Sequence, residues 1–550
     1  MEQQRPFLYL SLFFLGFLIW TTWQQKNAPI PPATTPTTEI TNGETTVPTS
    51  VPTASAQTES GTTTVPQADT NAAAISTAIH VKTDVFNIYI NTVGGTIVEA
   101  DLPKYPVSLD KAKDYAAQSG LVHAQMAGKK ASDYAPNHYA IFNSAQQEYV
   151  LQEGQDTLSI PLTWTKNGIT VTKTFTFTRG AYLVKQIQKI QNDSGDNWSG
   201  SEYLQLTHAE HTRDGSLLAG DVAYTGTAYY NEKYNKVSFD DISEENLSEE
   251  VKGGWAALIQ QYFVGAWIPN KDAINTYYTI FDKSKTRHII GVKSPLKTIP
   301  TGQSDTFDSQ FYVGPTDQDK LAKISDGLDL AVDYGIFAFV SKPIFAVMSF
   351  INRNIVSNWG WTIILLTMFI KLIFFYPSAM SYKSMAKMKK LGPKIKEISE
   401  KYKNDPQAKQ KETMAFYRKE KINPLGGCLP MLIQMPVFMG LYWVLQESVE
   451  LRQAPWVLWY KDLSIRDPFF ILPIIMGASM FIQQKLNPPA VQDPMQQKIF
   501  TYLPVVFTVM FLFFPAGLVL YWVVNNILSI FQQWFINKKI IGDTSTPKPA

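Results

Sequence analysis

The chain has 550 residues, a formal net charge of +2 and 45% hydrophobic residues, which averaged over its length describes a soluble protein of several domains. The average hides a segregation: all six histidines precede Asp333, whereas long runs rich in Phe, Trp and Met dominate after residue 334, which excludes a wholly soluble protein. Its single cysteine, Cys428, excludes an intrachain disulfide.

The first apolar run, Phe7 to Trp23, is about 17 residues, or roughly 26 Å as a helix, just enough to cross a hydrocarbon core. No A-x-A-like site comes after it, and Trp20 and Trp23 stand where interfacial anchors would, so residues 1–26 are expected to be an uncleaved signal anchor. Arg5 on the short leading side keeps the N-terminus in the cytoplasm and directs the chain beyond residue 26 to the outside. Residues 27–78 form a Thr/Pro/Ala/Ser tract with almost no large apolar side chains, the composition of a disordered tether.

From His80 the period changes to two. Phe86, Ile88 and Ile90 alternate with Asn87, Tyr89 and Asn91 ahead of Gly94-Gly95, and Asn167-Gly168 separates two Thr-rich alternating segments, a strong hairpin signal. Residues 79–333 therefore predict a large antiparallel β-sandwich outside the membrane. Within it, His208 and His211 lack a third ligand in the sequence pattern and carry no metal assignment. Neither G-x-x-x-x-G-K nor G-x-G-x-x-G occurs, so no nucleotide cofactor is expected.

Residues 334–356 contain an apolar stretch broken by Ser341-Lys342-Pro343, expected to lie in the outer interface as an amphipathic helix. Five runs long enough to cross come next, at about 359–377, 426–446, 468–486, 499–514 and 516–536, within a core spanning 357–540. The segment 378–424 carries 13 Lys/Arg against 5 Asp/Glu, and 448–467 only 3 Lys/Arg, so the former is placed in the cytoplasm. Asn404-Asp405-Pro406 interrupts two helical patterns there and predicts a helical hairpin. With the signal anchor this gives six spans, both termini inside, the β-domain outside and a short tail at 541–550. The fold class is thus α+β, a helical membrane bundle plus an exported sandwich.

Lys371 stands inside the apolar run MFIKLIFFYP. A lysine at that depth costs about 2.5–3.5 kcal/mol on insertion scales, so it needs water, a partner or a route to the surface. Snorkelling would carry it past roughly 7–9 Å of apolar helix. The other apolar runs contain no Asp or Glu to pair with it, which leaves a hydrated, cationic cavity suited to acidic or polar peptide. A Ser/Lys hydrolase and a transporter are the competing classes. The first requires a neutral lysine that arginine cannot replace, and the second an internal repeat of this span, of which there is none.

NPLGGCLPMLIQMPVF at 423–438, SVELRQAP at 448–455, DPMQQKI at 493–499 and FPAGLVLYW at 514–522 closely resemble the YidC family of bacterial membrane protein insertases. In the β-domain INTVGG, GGWAALIQQYF and LDLAVDYG resemble its Gram-negative form, found in the inner membrane. The resemblance implies an insertase and chaperone with a groove closed toward the outside, a positive residue in its wall, and neither enzyme activity nor cofactor. Family members usually carry arginine where this chain has Lys371, which keeps the charge without the planar fork. The resemblance carries over Thr367, Leu432, Gln434, Met435, Phe438, Tyr521 and Trp522 as groove residues. It also implies partners: nascent membrane proteins, the Sec translocon, ribosome-nascent chain complexes and the phospholipid bilayer. Burial of the substrate's apolar residues, each about 0.3–0.6 kcal/mol, would then supply the drive without nucleotide hydrolysis.

Overall fold

A computed structural model describes residues 78–105, 115–123, 133–209, 224–282, 286–402, 405–420, 429–486, 494–536 and 538. The expected signal anchor, the tether, His211, Cys428 and the tail lie outside them.

Two large sheets of ten and nine strands form the first half. Pairing is antiparallel nearly throughout; Ala78–Lys82 against Glu148–Val150 is parallel, a departure from the purely antiparallel expectation. Period-two sequence becomes alternate burial: Ile88 and Ile90 point inward between half-exposed Asn87, Tyr89 and Asn91. Asn167 and Gly168 both take positive φ (49° and 76°), the geometry of a two-residue hairpin joining Thr157–Lys166 to Ile169–Thr178.

Between the sheets lies a buried polar cluster. Glu202 of one sheet accepts hydrogen bonds from Gln188 Nε2 (2.6 Å), Gln186 Nε2 (3.3 Å) and Ser309 Oγ (3.5 Å) of the other. Lys173 donates to Gly94 O at 2.7 Å and stands over the Phe142 ring. Burial pushes the Glu202 carboxyl up to about 7 and the Lys173 amine down to about 7, each opposed by the other's charge.

Eleven helices follow or punctuate the strands among the described residues. Two are short: α1, Phe239–Glu244, and α2, Gln318–Ile324. The rest are α3 Ala338–Asn354, α4 Trp359–Ile373, α5 Phe375–Lys390, α6 Gly392–Lys401, α7 Pro406–Lys419, α8 Leu429–Glu447, α9 Ile471–Leu486, α10 Pro494–Phe511 and α11 Ala516–Ile536. Asp405 caps α7 by accepting from the amides of Gln407 and Ala408, with Pro406 opening the helix as its residue order predicts.

A helix forms where residues 334–356 predict one: α3 runs through Ser341-Lys342-Pro343, and Ser341 Oγ donates to Gly440 O of α8 at 2.9 Å. The absence of a Cβ at Gly440 permits that approach, since one would stand 2.8 Å from Val340 Cγ1. One expectation changes: the run 359–377 is not one helix, because α4 ends at Ile373 and α5 departs at 64°. Pro377 lacks the N–H that would bond Ile373 O, and its ring crowds that carbonyl.

Among the described residues, Gly335–Asn354 has the length and hydropathy of a span, and the bent pair α4 and α5 meets that standard jointly. Apolar α9 and the segment Thr501–Phe511 are shorter, so the described helices do not establish six spans.

The β-domain is tied to the helices at many points. Gln261 Nε2 donates to Gln446 O at 3.0 Å, and the hydroxyls of Tyr334 and Ser448 stand 3.4 Å apart. Lys342 pairs with Asp329 at 3.7 Å near the start of α3, and Arg353 pairs with Asp319 at its end.

The connection from α8 to α9 folds back over the α10–α11 turn, where Ala516 N donates to Ile465 O (2.7 Å) and Gly517 N to Leu463 O (2.9 Å). Asp467 organises it by accepting from Tyr460 Oη (3.0 Å), Leu472 N (2.8 Å) and Phe469 N (3.1 Å). Asp467→Ala strands the buried donors of Tyr460 and Leu472 at about 1–3 kcal/mol each, so we expect a clear drop in the thermal midpoint of the full chain in detergent, with Asp467→Asn retaining most of the stability.

Candidate functional site

The site grows from the two faces of α4 and α11. Asn358 starts α4 by accepting from the amides of Gly360 and Trp361. Ile363, Leu366, Thr367 and Ile370 then form its buried stripe, with spacings of three and four. Lys371 continues that stripe one turn beyond Thr367. It therefore points into the bundle, and its Nζ donates to Ser529 Oγ of α11 at 2.8 Å.

The sequence placed Lys371 near mid-span with apolar helix continuing beyond it. It lies instead in the last turn of α4, where free carbonyl ends favour a cation. Its stem turns toward α11 rather than along its own helix, which bends after Ile373.

Along α11, Asn525, Asn526, Ser529, Gln532 and Gln533 are all buried, and together they make a polar seam. Ser529 Oγ donates to Asn525 O (2.7 Å), Asn526 Nδ2 to Ser479 Oγ of α9 (3.0 Å) and Gln532 Nε2 to Phe375 O (3.3 Å). The Tyr382 hydroxyl of α5 meets the same Ser529. The pairing sequence reasoning missed was with this hydroxyl rather than a carboxylate, and the signal was present: polar residues at 525, 526, 529, 532 and 533 repeat at helical spacing.

A Lys–Ser contact has the residue types of a Ser/Lys hydrolase. Here, however, Ser529 Oγ is engaged by the Lys371 amine, by Asn525 O and by the Tyr382 hydroxyl, which makes it a member of the polar seam rather than a free nucleophile.

The other candidate residues form a second group. Gln434 Nε2 donates to the Tyr521 hydroxyl, joining α8 to α11. Phe438 meets Trp522 edge to face at 4.8 Å, and Phe511 adds a third ring at 5.4 Å from Trp522. Met435 is exposed, whereas Tyr521 and Thr367 are buried. Thr367 Oγ1 closes on Ile363 O of its own helix at 2.6 Å. Leu432 lies in α8, with its side chain outside the description. In the β-domain, His208 stacks on Phe239 and faces His288 across the strands.

An apolar helical assembly with an inward lysine and an amide-rich seam, carrying a β-domain on one side, defines a membrane protein built to host polar groups within a greasy body. Comparison with known proteins makes this specific. The family model described as 60Kd inner membrane protein matches residues 350–543, and that of the YidC periplasmic domain matches 78–347.

The membrane protein insertase YidC of Thioalkalivibrio sulfidiphilus is 46% identical over 98% of this chain and 99% of its own. That of Methylococcus capsulatus is 43% identical over 99% of this chain and 100% of its own. A crystal structure of an active YidC insertase superposes with a TM-score of 0.38 at 16% identity, covering 84% of this chain and 92% of that one.

The chain belongs to the YidC family of membrane protein insertases. It is an inner-membrane insertase with a periplasmic domain, its substrates are membrane proteins, and it is not an enzyme.

Proposed function

We propose that α4, α5 and α8–α11 enclose a hydrated groove whose positive charge, Lys371, holds the acidic or polar tail of a nascent protein while its apolar segment enters lipid. The observation that carries this reading is the Lys371–Ser529 contact at the head of the polar seam. A charge tethered to hydroxyls and amides keeps its field, because these groups solvate it without neutralising it. Thr367, Leu432, Gln434, Met435, Phe438, Tyr521 and Trp522 are the proposed groove residues, with exposed Met435 and the Phe438–Trp522 rings as an adaptable apolar wall toward substrate and buried Thr367 and Tyr521 packed behind it.

The proposed topology has a signal anchor in residues 1–26 and five spans in 357–540, with both termini and the basic hairpin 378–424 in the cytoplasm. The region 334–356 lies along the outer interface. Its two charged ends support this: Lys342 and Arg353 are about 16 Å apart along the axis, yet both pair with aspartates preceding α3 on the β-domain side. A crossing helix would leave one end on the far side. The folded-back 448–467 connection supports a groove closed outward. Proposed partners are the Sec translocon, for substrates with large exported regions, ribosome-nascent chain complexes at the basic hairpin, and the phospholipid bilayer.

Photo-crosslinkers placed singly at Met435 and Trp522, with stalled nascent chains as bait, are expected to capture the substrate, and one at buried Leu463 is not. Capture at Leu463 alone would sink the groove reading.

A further inference from the structure

At the junction of the β-domain with the helices lies an open cavity of about 390 Å³, lined by Ser349, Asn352, Arg353, Trp359, Glu450 and Arg452 among others. That volume falls within the range of small-molecule sites, roughly 300–1,000 Å³. Its walls carry both signs of charge. Arg353 comes from the last turn of α3 and pairs with Asp319 through one nitrogen, while its guanidinium has five N–H donors in all. Arg452 stands over Phe263 at 5.6 Å, which fixes its plane. Glu450 Oε2 is buried and accepts no hydrogen bond among the described residues. Burial, reinforced by Asp317 and Asp319, pushes the Glu450 carboxyl up to about 7, so a cation seated beside it would be favoured.

The surroundings indicate what kind of molecule carries the matching charges. On the topology proposed above, the cavity lies on the periplasmic side, with Tyr105 of the β-domain in its wall and Trp359, which opens α4, at the interface. Directly beside its lining residues, Phe350 and Ile355 turn outward, 61% and 64% exposed. A soluble anion would meet the positive charge of the arginines but offer no cation to Glu450 Oε2 and give no use to that apolar flank.

We propose that this cavity binds the headgroup of a phosphatidylethanolamine molecule of the outer leaflet. The phosphate lies between Arg353 and Arg452, the ammonium donates to Glu450, and the acyl chains run along Phe350 and Ile355. A zwitterionic headgroup with N–H donors meets every charged group of the lining. Phosphatidylglycerol offers Glu450 hydroxyl donors but no positive charge.

The test is native mass spectrometry of the delipidated full chain in detergent, titrated separately with phosphatidylethanolamine and phosphatidylglycerol. We expect phosphatidylethanolamine to bind at least tenfold more tightly. Glu450→Gln, which keeps size and fold, erases that preference while leaving phosphatidylglycerol binding unchanged. Ser349→Trp, which fills the cavity, removes the tight site. Equal affinity of the two lipids in the unaltered chain overturns the proposal, as does a preference that survives Glu450→Gln. Soluble phosphoethanolamine is the control for a chainless ligand. If it competes at the same concentration as the lipid, the occupant is a small solute and the lipid assignment fails.

Discussion

Lys371→Ala is expected to slow the insertion of a short acidic-tailed substrate into liposomes at least tenfold, whereas Lys371→Arg keeps most of the rate. A carboxylate about 4 Å from the amine at an effective dielectric near 20 interacts by about 4 kcal/mol. Desolvation of the tail offsets part of that, and a surviving 1.4 kcal/mol already corresponds to the tenfold effect. Arginine retains the charge and presents a donor to Ser529, so the electrostatic role passes to it.

Lys371→Glu should act by sign: it blocks acidic tails more severely than alanine does, while a tail made neutral by Asp→Asn changes is affected far less. Protease protection of the translocated tail reads all of these. Alanine inserting as well as the unaltered chain would confine Lys371 to bundle packing. Ser529→Ala separates field from geometry: the charge stays while its tether goes, so we expect a loss smaller than that of Lys371→Ala.

Much of this was legible in the residues, and what was not shares one cause. The hairpin at Asn167-Gly168, the Asp405 cap and the alternation of Ile88 and Ile90 are local signals, and each appears where the sequence puts it. The end of α4 was also local, written in Pro377, but the hydropathy of 359–377 spoke for one continuous helix. Pro343 lies within α3, as the amphipathic reading of 334–356 requires, and the contact of Ser341 with Gly440, about a hundred residues away, is the part no local signal shows. The candidate charge was found by its oddity in an apolar run. Its partner was not: the polar stripe at 525, 526, 529, 532 and 533 is visible in the sequence, but that it faces α4 is decided only when the two helices pack. The docking of the β-domain on α3 and α8 joins distant segments and leaves no periodic trace.

The largest stability effect is expected far from the groove, at Glu202. Glu202→Ala removes the acceptor shared by Gln186, Gln188 and Ser309, which is coupled across the core to the buried amine of Lys173, and strands these donors at about 1–3 kcal/mol each, a loss of about 3–5 kcal/mol. At about 2–4 °C per kcal/mol for a domain of this size, the thermal midpoint should fall by roughly 10 °C. The same pair sets a pH dependence. The Glu202 carboxyl is raised from 4.5 to about 7, so the folded state holds more protons than the unfolded one in that window, and stability is lost as pH rises through it. The Lys173 amine is lowered from 10.5 to about 7, so the unfolded state holds more protons there, and stability returns as pH climbs from about 7 toward 10.5. The pair therefore contributes a minimum near neutral pH, with slopes of at most about 1.4 kcal/mol per pH unit for each group. Unfolding of the full chain in detergent, followed by tryptophan fluorescence from pH 5 to 9, should show the acid limb vanish in Glu202→Gln while the alkaline limb remains. In Lys173→Met with Glu202→Gln both limbs should flatten. A Glu202→Gln profile that superposes on that of the unaltered chain would mean that Glu202 is already ionised in the fold, held by its three donors rather than by a proton.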